Sequence, residues 1–143
     1  MSTLPPSPGS IVLLTRLSRL VYKRATEDVL GMRLKMYVTL SNLREGPRGQ
    51  QDLCISMHLD PNNCVLMLND LENEGYVERR RDPADRRRHI VEMTRAGHKA
   101  MLNAERAMES LEDDVLGALE PDEREVLRKL LDRALAAEPS LTP

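Results

Sequence analysis

The chain contains no Phe, no Trp and only three Tyr among its 143 residues. Any core must therefore be filled by Leu, Val, Ile, Met and Ala, a composition that favours packed helices over sheet. With 41% apolar and 31% charged residues, the length suits one globular domain able to bury a real core and argues against a multi-domain enzyme. A formal charge of -2 excludes adhesion to nucleic acid or acidic membranes by bulk charge, so any such contact must be local. Cys54 and Cys64 are too few for a disulfide scaffold and lack metal-ligand spacing, which reads as free cysteines in a reducing compartment. The Pro- and Ser-rich stretch Leu4 to Ser10 precedes only four apolar residues, Ile11 to Leu14, before Arg16 and Arg19 intervene. That run is too short for a signal peptide or a membrane span, so the expectation is a cytoplasmic protein with no membrane partner.

Periodicity supplies the elements. From Ser10, a candidate N-cap, Leu13, Leu17 and Leu20 together with Ile11, Leu14 and Val21 recur at helical spacing, predicting a helix to about Asp28. A second helix is expected from Met32 to Arg44, with Leu34, Tyr37, Val38 and Ser41 on one side, stopped by Glu45-Gly46-Pro47-Arg48-Gly49. A short helix from Gln50 to about Met57 follows, and then Asp60-Pro61 reads as an N-cap and a proline at the first position of a helix ending near Gly75. Tyr76 to Arg81 and Arg88 to Met93 are β-compatible, joined by the turn-forming Asp82-Pro83-Ala84-Asp85-Arg86-Arg87. Thr94 caps a long helix to about Leu119, and Pro121 opens a last one, with Val126, Leu127, Leu130, Leu131, Ala134 and Leu135 on its apolar face, ending before Pro139.

Two helices joined by a short turn, then two strands around a basic loop, are the order of a winged helix-turn-helix, whose second helix lies in the DNA major groove. The predicted fold class is mainly α with a small β-hairpin wing. Residues 79 to 89 hold six arginines, Arg79, Arg80, Arg81, Arg86, Arg87 and Arg88, against Asp82 and Asp85. A charge run by itself is usually a solvated surface, but at a wing it suits a minor groove or phosphates.

The motifs Leu59-Asp60-Pro61, Leu71-Glu72-Asn73-Glu74-Gly75-Tyr76-Val77-Glu78-Arg79, Asp82-Pro83-Ala84-Asp85-Arg86-Arg87 and Met93-Thr94-Arg95-Ala96-Gly97 together resemble the MarR family of bacterial transcriptional regulators, over nearly the whole chain. The resemblance implies a homodimer on double-stranded DNA, with residues 10–31 as an N-terminal dimerisation helix, 32–94 as the winged DNA-binding region and 95–138 as C-terminal dimerisation helices. It implies that Arg87 enters the minor groove, flanked by Arg86 and Arg88, and that Asp85 braces the loop. Groove-facing positions fall on Asn62, Asn63, Val65, Leu66 and Asn69, while Cys64, Leu68 and Leu71 fall on the core side. Gln50 and Gln51, at the start of the preceding helix, are placed to meet a phosphate. The resemblance also implies a small aromatic or anionic effector in a cleft that Arg16, Met36 and Tyr37 would line.

From Leu59 to Glu78 the chain has no Lys or Arg, while Asp60, Asp70, Glu72, Glu74 and Glu78 are acidic. Bidentate pairing of arginine to guanine is therefore impossible from this helix. Asn can pair with adenine and apolar side chains can meet the thymine methyl, so the expected site leans to A·T. Salt dependence would then come from the wing and from Arg44, Arg48 or the first helix. No metal site is expected, because His58, His89 and His98 are scattered over three elements. No cofactor loop and no catalytic constellation is discernible, so the chain does not read as an enzyme. The predicted function is a sequence-specific regulator, in the sense of a repressor, bound to a palindromic operator. The alternative is a winged module that no longer reads DNA and docks a protein on the Val65-Leu66 surface.

Overall fold

Leu40, Leu43, Leu53, Leu68, Leu71, Val77, Val91 and Met101 lose almost all contact with water and form one aliphatic core. Each such side chain stabilises the fold by about 1.5–3 kcal/mol relative to exposure. The computed structural model describes residues 8–137; the expected stop before Pro139 and the Pro- and Ser-rich stretch as far as residue 7 lie outside the described residues. Among the described residues, seven helices and three strands surround the core in the order α1 (Ser10–Arg24), α2 (Glu27–Leu30), α3 (Leu34–Ser41), β1 (Arg48–Gly49), α4 (Gln50–Ser56), α5 (Pro61–Asn73), β2 (Val77–Arg81), β3 (His89–Met93), α6 (Arg95–Val115) and α7 (Pro121–Ala136). The sheet is antiparallel in the order β1-β3-β2, with Val77 opposite Met93 and Arg81 opposite His89. The fold is thus mainly helical with a small sheet, as the periodicity implied.

The helix-turn-helix signals act as read. The Asp60 carboxylate accepts from the backbone N–H of Asn62 at 2.9 Å and of Asn63 at 3.3 Å, with Pro61 at the first helical position. Such a cap stabilises a helix by about 1 kcal/mol. Thr94 Oγ1 likewise accepts from Gly97 N–H at 3.0 Å and opens α6, whose Gly97, Met101, Ala104 and Leu111 form the buried stripe.

Four expectations are corrected. Ser10 is the first residue of α1 rather than its cap, which is Gly9. The first helix does not reach Asp28: it ends at Arg24, and Thr26 restarts the chain as α2, because the break tucks Ala25 and Leu30 into the core. On α3 the buried row is Met36, Thr39 and Leu40 rather than Tyr37, Val38 and Ser41, since the core lies where α3 meets α5 and α6; Thr39 satisfies its hydroxyl by donating to Lys35 O at 2.7 Å. Cys54 and Cys64 are not free small hydrophobes but a disulfide, with Cα atoms 5.7 Å apart. A two-residue strand, β1, also joins the hairpin through Arg48 opposite Val91, making the wing three-stranded.

Wing and α6 meet in a close junction. Thr94 N–H donates to Tyr76 O at 3.0 Å and the Thr94 hydroxyl donates to Gly75 O at 2.6 Å. A Cβ on Gly97 would sit 2.1 Å from Tyr76 O, backbone that cannot yield. Gly97→Ala is therefore expected to cost about 1–3 kcal/mol by overpacking, measured by denaturant titration; an unchanged midpoint would show that the two elements are not held this closely in solution.

Candidate nucleic-acid interface

Helix α5 has two faces because its apolar residues recur at helical spacing. Cys64, Met67, Leu68 and Leu71 turn inward, which leaves Asn62, Asn63, Val65 and Leu66 outward, Leu66 at 61% exposure and Val65 at 39%. The polar members of this row are not equally available. The Asn63 carboxamide donates to Asp60 at the helix cap. Asn69, half-buried, accepts from Arg79 Nη2 at 2.5 Å. Asn62, Val65 and Leu66 are the open part of the face.

The six arginines of the wing divide into two groups. Arg79 is bound to α5: its guanidinium meets Glu72 at 3.1 Å as well as Asn69, and its backbone N–H donates to Glu72 Oε2 at 3.2 Å. Arg80 pairs across the hairpin with Glu92 at 2.6 Å, and Arg81 donates to Arg86 O at 2.8 Å. The expectation of one continuous basic cluster is thus corrected, because the strand residues lie within reach of the protein's own acids and carbonyls. Arg86, Arg87 and Arg88 occupy the exposed tip. Asp85 accepts from Arg87 N–H at 3.1 Å and from Arg87 Nε at 3.2 Å, and lies 3.5 Å from Arg88 Nε. The Arg87 side chain nevertheless remains 91% exposed. Donation from Arg87 holds the Asp85 carboxyl below the usual carboxylate range, so the brace is ionised at neutral pH.

Strand β1 brings the start of α4 beside the wing. A concave surface of about 360 Å³ runs between them, lined by Arg48, Gly49, Gln50, Gln51, Arg80, Arg87, Arg88 and His89. Gln51 is exposed, whereas Gln50 is half-buried with its Oε1 enclosed and without a hydrogen-bond partner. Gln50 also shares a second hollow with Val65, Glu72, Arg79 and His89, so it sits where α4, α5 and the wing converge. Arg48 belongs to this surface through a strand too short to give a periodic signal. Arg44, expected to add free positive charge, instead pairs with Glu105 on α6.

Residues 35–89 match the sequence profile of the MarR family. A Thauera aromatica protein described as a transcriptional regulatory protein for the hcr operon is 31% identical over 123 residues, 85% of this chain and 74% of that protein. The crystal structure of MarR superposes with a TM-score of 0.79 at 28% identity, covering 93% of this chain and 92% of that one. The chain belongs to the MarR family. Members of the MarR family are transcriptional regulators and not enzymes. A Cys-to-Ser mutant of MarR from E. coli, complexed with operator DNA, shares the fold at a TM-score of 0.74 and 22% identity, covering 87% of this chain and 91% of that one.

Of Arg16, Met36 and Tyr37, the residues expected to line an effector cleft, only Tyr37 borders a groove here. A groove of about 650 Å³ runs between α1, α6 and α7, with Tyr37, Leu17, Val21, Met108, Leu127 and Leu131 among its walls. Met36 is buried in the core instead, and Arg16 is exposed on α1 and not part of the wall. Glu105, Glu109 and Glu112 line the groove; Glu105 is paired with Arg44 beside Tyr37, and Arg128, also in the wall, is paired with Glu125 at 2.7 Å, which leaves Glu109 and Glu112 as its open carboxylates. Such walls repel an anion. Burial and the neighbouring Glu105 raise the Tyr37 pKa, keeping its hydroxyl protonated.

The Glu72–Arg79 pair that ties wing to helix has a testable pH signature. Hydrogen bonding from Arg79 lowers the Glu72 pKa below its ordinary 4.5. A carboxyl depressed by folding contributes stability that is complete above its unfolded pKa and is lost as pH falls through the folded value. The stability difference between wild type and Glu72→Gln is therefore expected to be constant from about pH 6 to 8 and to shrink below ~4.5. A difference independent of pH down to about 3 would mean that the pair does not form.

Proposed function

We propose that the chain is a homodimeric, sequence-specific DNA-binding regulator of the repressor type that works in the cytoplasm. Each protomer lays α5 in the major groove and the Arg87 tip in the adjacent minor groove. The observation that carries this reading is the braced tip: Asp85 fixes the backbone and guanidinium base of Arg87 while leaving that side chain 91% exposed. Arg86 and Arg88 flank it, and Gln51 with the α4 backbone faces the phosphates. Asn62, Val65 and Leu66 read bases; Asn63 and Asn69 serve mainly to hold the helix, given their partners Asp60 and Arg79. The operator neighbour from E. coli, in the same fold, supports this placement.

Dimerisation is supported by apolar surface with no cover in one protomer. Ile11, Val12, Leu13 and Leu14 on α1 and Val126, Leu130 and Leu135 on α7 are all exposed. Exposed apolar rows of this kind on helices mark an interaction surface. A two-fold dimer would set the two α5 helices about one DNA turn, ~34 Å, apart on a palindrome. The groove beside Tyr37 is the effector site we favour, and its carboxylates select an uncharged aromatic over an anionic one. No helix among the described residues is long and apolar enough to cross a membrane.

Sequencing genomic fragments retained by the protein at low salt tests the reading directly. Retention should collapse as salt rises, and the selected sites should be palindromic and rich in A·T where α5 touches them. G·C-rich half-sites would refute the base-reading role of Asn62, Val65 and Leu66, and salt-insensitive retention would favour the protein-docking alternative. Arg87→Ala should weaken binding to the selected duplex by about 1.5–3 kcal/mol, roughly 10- to 150-fold. Unchanged affinity would remove the wing from the contact.

A further inference from the structure

The two helices of the DNA-reading motif are joined by a covalent bond between Cys54 on α4 and Cys64 on α5. We propose that this pair is a reversible thiol–disulfide site, oxidised by a small-molecule disulfide, whose closed form holds α5 in the DNA-binding arrangement. The proposal rests on the DNA-reading function above and adds a chemical input to it.

Three observations converge on the pair. The first is placement. Cys64 lies between the outward residues Asn63 and Val65, and Cys54 one helical turn beyond Gln50 and Gln51, so the bond links the two elements that face the nucleic acid. Cα atoms 5.7 Å apart fall within the range a disulfide spans without moving the backbone.

The second is packing. Cys64 is fully buried and Cys54 nearly so, among Leu53, Leu68 and Leu71. Two reduced sulfurs cannot remain at bonding distance, and a close-packed interior has no void to receive them. Reduction therefore makes the sulfurs separate against packed neighbours, which loosens the hold of α4 on α5.

The third is the turn enclosed by the bond. His58 has φ of +56°, a left-handed backbone that disfavours any residue with a side chain, and it occupies a turn without glycine. Leu59 N–H donates back to Cys54 O at 3.3 Å, closing that turn on the cysteine itself. With the bond intact the turn is held shut. Once it opens, the left-handed residue can relax, and DNA binding must then supply the ordering that the bond had provided.

The chemistry balances without a metal. The Cys54 thiolate, the less buried of the two, attacks one sulfur of the small disulfide, forming a mixed disulfide and expelling one thiolate. The Cys64 thiolate then attacks the Cys54 sulfur and expels the second. The protein dithiol loses two electrons and two protons, and the small disulfide leaves as two thiols.

The test uses the full chain equilibrated in dithiothreitol or in oxidised glutathione. Free thiols are counted by acid quench, alkylation and mass spectrometry, amide exchange is followed across residues 53–66, and affinity is measured for the duplex selected above. We expect two thiols to fall to none, exchange across the turn to slow, and the disulfide form to bind at least fivefold tighter. Cys54→Ala should bind alike in both buffers. Two thiols persisting in oxidised glutathione overturn the proposal, as do wild-type forms whose affinities agree within twofold. Absence of salt-sensitive binding in both forms overturns the DNA-reading function and the output assigned to the bond with it. The thiol count and exchange rates tell that failure from a failure of the cysteine chemistry.

Discussion

The inward row of α5 fixes everything that the outer surface presents. Cys64, Leu68 and Leu71 are each fully buried, and a helix so anchored has no freedom to rotate about its axis. Asn62, Val65 and Leu66 therefore face solvent as a consequence of what the opposite side buries. Losing one buried leucine to Ala costs about 2–5 kcal/mol, a large share of the stability of a small domain. In a chain without Phe or Trp, the core depends on such aliphatic side chains for its volume. Core packing and the surface proposed to read bases are two faces of the same thirteen residues.

Charge is handled with the same economy. The protein is slightly acidic overall, yet it displays guanidinium groups at the wing tip. Arg79 and Arg80 serve the scaffold, one tying β2 to α5 and the other bridging the hairpin. Arg87 is left to solvent on a loop whose shape Asp85 maintains. Ion pairs between exposed groups contribute little to stability, of the order of 0–1 kcal/mol, so the value of these contacts lies in direction. They fix where the tip projects relative to α5. The carboxylates along the groove beside Tyr37 give that part of the molecule the opposite character.

Much of this was legible in residue order. The Asp60-Pro61 start of α5, the Thr94 cap and the Pro121 start of α7 are local hydrogen-bonding and φ constraints, and all three operate as their residue types dictate. Other features were not legible because the signal is not local. Strand β1 has two residues and exists only because β3 offers it a partner. Ala25 breaks the first helix because of what lies beneath it, since Ala is a strong helix former by propensity. The buried face of α3 depends on where α5 and α6 stand. Both Asn63 and Asn69 look like base readers by position, and only the neighbouring Asp60 and Arg79 show that their amides are already engaged.

The amino-acid sequence by itself determined the element types, the helix-turn-helix spacing and the arginine-rich turn, because each depends on periodicity or on residues a few positions apart, while the inward and outward rows of α5 followed from the resemblance to the MarR family. Only the tertiary structure decided which arginines remain open, which wall Tyr37 belongs to, and that Cys54 and Cys64 meet. Those outcomes depend on distances between elements, where burial and shape complementarity select one arrangement among many that the same local preferences would allow.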